Sequence, residues 1–266
     1  MESNKWQSVR APLSKEGLLG IFENRYAYLE VQDFISVSEC ERLLKGLKKV
    51  GFQQFNYNFD HSNAPPAAHV FTQHYLFENL PEDVGVATYF PEADKSISLY
   101  KNLVQSSGYD PAEMFFKFIE SHWGESVQVA EQNGQKFSYV IGRELSNSAL
   151  LHADFANFIP NYWVISNVKA QYAWNIYLSD PGDGGELVVY DKPWVSSDDQ
   201  YIFKNTYGYD NKVVAGANSA SLKPKKLSLV LFNSRNFHEV KASTKPRIGV
   251  GGHLGLTFDN QIIAWV

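Results

Sequence analysis

The segment LLHADFANF, residues 150–158, carries His152 and Asp154 two positions apart among leucine, alanine and phenylalanine. In extended backbone, residues i and i+2 project from the same face, so an imidazole and a carboxylate leave the chain together while Ala153 points away. Two donors do not close a metal site. LFNSRNFHEV supplies a third, His238, at the end of a later apolar strand. Two imidazoles and one carboxylate on one face leave three adjacent coordination positions open, the facial arrangement of non-haem Fe(II) sites that bind a co-substrate and dioxygen together. Zinc prefers a tetrahedral set with fewer open positions. Arg247 opens the next strand, RIGVGGHLG. Its planar, permanently charged fork can hold a carboxylate by two parallel hydrogen bonds. 2-Oxoglutarate meets both demands: its 2-oxo acid end chelates a metal through two oxygens while its distal carboxylate reaches Arg247. Tyr139, Asn175 and Thr257 are candidates for a polar partner beside that arginine.

Each of these residues also has an ordinary structural reading. A lone His-X-Asp is commonly a surface pair or a turn residue. His238, Arg247 and the intervening GDGGEL make the joint metal reading the stronger one. His253 follows two glycines on the strand of Arg247 and shares its parity, so it can line the same cavity. Arg143 can face that cavity and bind a substrate carboxylate or phosphate, or it can pair on the surface near Glu144. Phe155 and Phe158, with Trp163, Trp174, Trp194 and Trp265, are candidates for apolar pocket wall, although aromatic residues at this density are first of all core. His61, His69, His74 and His122 are expected to be solvated or satisfied in the core.

Elements that hold such a site can be read around it. The chain has 266 residues, 44% of them hydrophobic and 15% aromatic, enough to bury a full core. Ser36 and Glu39 form a capping-box pattern ahead of Leu43, Leu44 and Leu47, which predicts an amphipathic helix. Residues 94–106 and 111–123 also predict helices, the second opening on Pro111. From residue 136 the texture changes to short β-branched and aromatic runs: KFSYVIG, SALLHADF, NYWVISNV, QYAWNIYLS, GELVVY, LSLVLFN, RIGVGGHLG and QIIAWV. About eight closely spaced strands without crossover helices predict an antiparallel sandwich or jelly roll. SDPGDGGE carries hairpin chemistry. The aromatic-rich segments FQQFNYNFDHSNAPPAAHVFTQHYLF and YIFKNTYGYDN are expected to cover the barrel mouth as a lid. No linker divides the chain, which predicts a single unit over 1–266: a helix-rich part and lid over 1–135, and a jelly-roll core over 136–266.

A formal net charge of −5 offers no basic footprint for nucleic acid or a membrane surface, so a small soluble ligand is the expected partner. Cys40 is the only cysteine, which excludes an intrachain disulfide. The polar opening MESNKWQSVR lacks the apolar core of a secretion signal, and no run approaches a membrane span; a cytoplasmic location is expected.

The pattern His152-Ala-Asp154, His238 and Arg247 resembles the His-X-Asp…His…Arg signature of Fe(II)/2-oxoglutarate-dependent oxygenases, over roughly residues 136–260, and DFISVSECERLL resembles the helix that often precedes it. IGRELSNSALLHADF and GDGGELVVYDKPW are similar to segments of carrier-independent halogenases of cyanobacterial indole alkaloids and of related free-standing amino-acid hydroxylases. The resemblance implies a mainly β protein with a double-stranded β-helix (jelly roll) core and N-terminal α-helices packed outside. It also implies Fe(II), with 2-oxoglutarate and O2 as co-substrates, and release of succinate and CO2. In the halogenases the carboxylate position is a glycine that leaves room for chloride; Asp154 fills it here. Hydroxylation of an unactivated C–H bond of a free metabolite, alkaloid or amino acid is therefore the implied outcome. Desaturation, epoxidation or cyclisation by the same chemistry, a peptide hydroxylase, and a non-catalytic jelly-roll binding module are the alternatives.

Overall fold

The computed structural model describes residues 6–54, 67–74, 77, 80–145, 148–204 and 206–266. Along the chain come β1 (Ser8–Arg10), α1 (Lys15–Phe22), β2 (Tyr26–Val31), α2 (Val37–Val50), β3 (Gln53–Gln54), β4 (Ala67–Val70), α3 (Glu82–Ser107) and α4 (Pro111–Trp123). Then follow β5 (Val127–Val129), β6 (Glu131–Gln132), β7 (Gln135–Lys136), β8 (Ile141–Leu145), β9 (Ala149–His152), β10 (Val168–Tyr177), β11 (Leu187–Pro193), β12 (Ser219–Leu222), β13 (Leu229–Asn233), β14 (Asn236–Val240), β15 (Arg247–Thr257) and β16 (Ile262–Trp265).

Two sheets face one another. The larger runs β1-β2-β13-β10-β15-β8-β4-β3, with β16 and β5 continuing from β15; the smaller runs β12-β11-β14-β9. Their inner faces meet in one apolar layer that joins Ile141, Ala173, Tyr177 and Phe232 of the larger sheet to Leu187, Val189 and Val240 of the smaller. The alternate residues of β10, Tyr172, Trp174 and Ile176, point outward and pack on the helices. Phe115 of α4 stacks on Trp174 with ring centroids 4.3 Å apart. This is the jelly roll with helices outside that the sequence predicts, and strands from the first half extend its larger sheet.

Local signals hold where local chemistry decides. Ser36 accepts from the Glu39 amide while the Glu39 carboxylate accepts from the Ser36 amide, so the predicted capping box starts α2. Asp110 caps α4, with Pro111 in its first turn. Other expectations need correction. The helix predicted from residue 94 begins at Glu82 and runs through Pro91. Losing one backbone hydrogen bond there is offset by burying Tyr89, Phe90 and Ala93 in an aromatic cluster with Phe137 and Trp163. NYWVISNV is not a strand; its centre is a short 3-10 turn at Val164–Ser166 that packs Ile165 inward. Of KFSYVIG, only the last residues enter β8. SDPGDGGE makes a tight turn, with Gly182, Gly184 and Gly185 at positive φ, yet it closes no hairpin. It carries the chain from β10 in one sheet to β11 in the other. A Cβ on Gly184 would stand 2.0 Å from the Ala242 carbonyl oxygen. The first predicted lid segment lies largely outside the described residues, as does His61. No helix among the described residues is long and apolar enough to cross a membrane.

Candidate functional site

His152 and His238 come from adjacent strands of the smaller sheet. His238 lies in the middle of β14, not at the end of the preceding apolar strand, because the chain turns at Ser234 and Arg235 and enters the second sheet. It stands opposite His152, the last residue of β9, with ring centroids 4.2 Å apart. Asp154 follows the strand. Its amide donates to the Ser234 carbonyl at 2.8 Å, and the Ser234 hydroxyl donates to the Asp154 carbonyl at 3.0 Å. This clamp aims the carboxylate back at the two rings. Asp154 Oδ2 is 3.9 Å from His152 Nε2 and 3.8 Å from His238 Nε2, and the three donors lie within 4.8 Å of one another.

The rings are oriented from behind. His152 Nδ1 donates to the Leu150 carbonyl at 2.7 Å and His238 Nδ1 to the Asn236 carbonyl at 2.8 Å. Each imidazole thereby keeps its proton on Nδ1 and turns the Nε2 lone pair toward Asp154. Burial, with His152 beside it, pushes His238 down to about 3, which keeps it neutral and able to ligate. Burial alone would raise Asp154, but His152, His238, His253 and Arg143 around it hold it below the ordinary carboxylate value. Its side chain is 42% exposed although protein surrounds it, as expected of a carboxylate standing in an open cavity. Two imidazoles and one carboxylate, with no thiolate, are a donor set that suits Fe(II).

Arg247 begins β15 and turns into the same space. Among the described residues it has no carboxylate partner: Nη1 donates to the Gly185 carbonyl at 3.3 Å, and the guanidinium lies 5.5 Å from the centre of the Tyr177 ring. Burial lowers its proton affinity, the mark of a cation withdrawn from water without a counter-ion. That fits the expected anion anchor. Asn175 lies on the inner row of β10 between Ala173 and Tyr177, opposite Gly251, and so can serve as the second polar group. Tyr139 and Thr257 do not reach this space. Tyr139 packs outward on Tyr100 and Phe116, and the Thr257 hydroxyl is engaged with Asp259 and Gln261 in the turn before β16.

His253 does line the cavity: it shares the inner row of β15 with Arg247, bonds Gln171 at 3.2 Å and lies near enough to Asp154 to feel its charge. Arg143 faces inward from β8 and makes no ion pair with Glu144. Phe155 and Phe158 touch each other at 4.9 Å, and Arg235 covers both rings. Phe158, 48% exposed, also meets Trp194, so this pair forms an outer rim and not a sealed wall. Trp174 and Trp163 belong to core clusters. His74 is buried against Trp163 at 4.2 Å and His122 bonds the Phe118 carbonyl, in keeping with structural roles. Three contributors escaped the sequence reading: Ser234, which clamps Asp154; Tyr177, beside Arg247; and Tyr207, whose ring stands 5.3 Å from that of His152. The parity of β10 would have found Tyr177; nothing local marks the other two.

Known proteins share this frame. The chain is 34% identical over 175 residues to "Leucinostatins biosynthesis cluster protein S" of Purpureocillium lilacinum, covering 64% of this chain and 70% of that one. It is 26% identical over 159 residues to an L-gamma-glutamyl-L-propargylglycine hydroxylase of Streptantibioticus cattleyicolor, covering 59% of each. An N-substituted L-amino acid dioxygenase from Burkholderia ambifaria AMMD has the same fold, with TM-score 0.64 over 94% of this chain and 91% of its own, at 14% identity. Residues 48–265 match the family described as carrier-protein-independent halogenase WelO5. The chain belongs to that family, and with it to the Fe(II)/2-oxoglutarate-dependent oxygenases.

Proposed function

We propose that this protein hydroxylates an unactivated C–H bond of a free small molecule, a specialised metabolite, alkaloid or amino acid, with 2-oxoglutarate converted to succinate and CO2. The observation that carries the reading is the carboxylate of Asp154 facing two proton-locked imidazoles. A halogenase that resembles this chain has glycine at that position and leaves a place for chloride; the Asp154 oxygen takes that place, so oxygen transfer is the outcome the donor set favours. Bound Fe(II), with 2-oxoglutarate and dioxygen, supplies an oxidant for aliphatic C–H bonds.

The chain's own residues do the positioning. His152, Asp154 and His238 would hold the ion. Arg247 fixes the distal carboxylate of 2-oxoglutarate, and Tyr177 walls that end. Phe232 packs 4.8 Å from the His238 ring, and Tyr207 covers His152, which limits water at the ligands. The two relatives, a hydroxylase of a γ-glutamyl amino acid and a biosynthesis-cluster protein, support a small-molecule substrate.

The test supplies protein, Fe(II), 2-oxoglutarate and 18O2 with a panel of free amino acids and γ-glutamyl dipeptides. Succinate formation with a product that gains one 18O atom is expected. A product that loses two hydrogens instead would make the enzyme a desaturase or cyclase. No 2-oxoglutarate-dependent succinate in any mixture, with Fe(II) bound, would refute the reading.

A further inference from the structure

Arg143 occupies the third position of β8, and its neighbours on that strand, Ile141 and Leu145, belong to the apolar layer between the sheets. Across the ladder it faces Gly249 on one side and His69 on the other. Gly249 places no side chain between Arg143 and Arg247, which lies diagonally across the ladder on β15. Arg143 Nη2 donates to Gln73 Oε1 at 3.0 Å, which fixes the fork without neutralising it. No carboxylate partner is found for it among the described residues. Glu30, whose Cα partner on β13 is the inward-facing Val230, is already held by Arg10 at 3.4 Å. The adjoining strand β15 carries Arg247 and His253 on the same inner row and β10 beyond it carries Tyr177, so Arg143 shares their cavity.

Charge balance then says what is missing. The Arg10–Glu30 pair balances itself, so two guanidiniums and a divalent ion against the carboxylate of Asp154 leave three formal positive charges. 2-Oxoglutarate, a dianion held between the ion and Arg247, removes two. One remains, and it sits on Arg143, a strand away from the co-substrate anchor. An uncompensated cation in a cavity walled by Tyr177, Ile141 and Leu145 is costly unless an anion visits it.

Resting on the oxygenase reading above, we infer that Arg143 is the substrate anchor and that the substrate is a small molecule bearing a free carboxylate, held by a charge-assisted contact on the Arg143 fork. The Gln73 contact positions that fork; the carboxylate sets which end of the substrate points away from the metal.

The test uses a matched probe pair, N-acetylglycine and N-acetylglycinamide, each added to protein loaded with Zn(II) and saturating 2-oxoglutarate, and reads binding by saturation-transfer NMR. Wild type should transfer to the acid and not to the amide. Arg143→Gln should lose the acid signal, Arg143→Lys should regain it, and Arg247→Gln should keep it. Equal transfer to acid and amide in wild type, or an acid signal that survives Arg143→Gln, overturns the inference, as does a 2-oxoglutarate affinity that falls in Arg143→Gln while the acid still binds. Thermal melts check that the variants fold, and the wild-type acid-to-amide comparison decides even where one does not. Transfer to 2-oxoglutarate, read in the same samples, tests the co-substrate reading separately: its absence in wild type would refute that reading and leave the acid-to-amide comparison standing.

Discussion

Replacing Arg247 by alanine separates ligand binding from fold stability, and the structure assigns the two effects opposite signs. In the free protein Arg247 has only a long contact to the Gly185 carbonyl at 3.3 Å and the Tyr177 ring for company. A buried cation with so little compensation contributes nothing favourable to folding, so Arg247→Ala should leave the thermal midpoint of the free protein unchanged or raised. With 2-oxoglutarate bound, the same guanidinium would make the proposed charge-assisted, two-pronged contact, whose loss costs roughly 2–4 kcal/mol. At about 1.4 kcal/mol per decade, that is a loss of affinity between about 30-fold and several hundred-fold. Anaerobic titration of the Fe(II)-loaded protein with 2-oxoglutarate, followed by the weak visible absorption of the chelate, measures it. Iron affinity measured without co-substrate should change little, because Arg247 touches no metal ligand. An unchanged 2-oxoglutarate affinity, or a free variant that unfolds well below wild type, would refute the argument.

Other perturbations test other parts of the structure. Asp154→Gly removes one of three donors while leaving the clamping bonds to Ser234 possible; the proposed hydroxylation should fall more than about 100-fold, read as product per succinate, and wild-type turnover would overturn the ligand assignment. Gly251→Ala places a Cβ 2.3 Å from the Trp174 carbonyl oxygen and 2.8 Å from Asn175 Oδ1, where β10 and β15 run closest. Urea unfolding should show a loss of about 1–3 kcal/mol, and an unchanged midpoint would refute that close approach. His74 is 3% exposed among aromatic rings, and burial pushes it down to about 3. The unfolded chain takes up that proton near pH 6.5 and the folded one does not, so stability is full above about 6.5 and declines as pH falls toward 3, by roughly 2 kcal/mol at pH 5. His74→Phe should abolish that share of the acid sensitivity in denaturant titrations at pH 7 and pH 5; an identical pH slope in both proteins would exclude it.

The sequence by itself determined what depends on neighbours along the chain. Ser36 and Glu39 specify a helix start because both partners lie within one turn. His152 and Asp154 project together because the chain is extended there, and the type and order of the donors were enough to name the metal chemistry. The alternation along β15 placed Arg247 and His253 on one face for the same reason. What the tertiary structure alone decided is which surface meets which. SDPGDGGE encodes backbone angles and not a partner, so only the packed fold shows that it joins two sheets instead of closing a hairpin. Tyr139 and Tyr177 are equally good hydrogen-bonding residues by type; one packs outward on Tyr100 and the other inward beside Arg247 because each lies on a different side of the larger sheet. The α3 helix runs through Pro91 because burying Tyr89 and Phe90 outweighs one missing hydrogen bond, a gain that exists only once Phe137 and Trp163 arrive from distant segments. Ser234 clamps Asp154 across the same kind of distance, through backbone that no local pattern marks. Spacing along the chain sets the donors' chemistry; burial and cross-sheet contact, which come from residues far away in sequence, set the donors' geometry and leave the two arginines uncompensated.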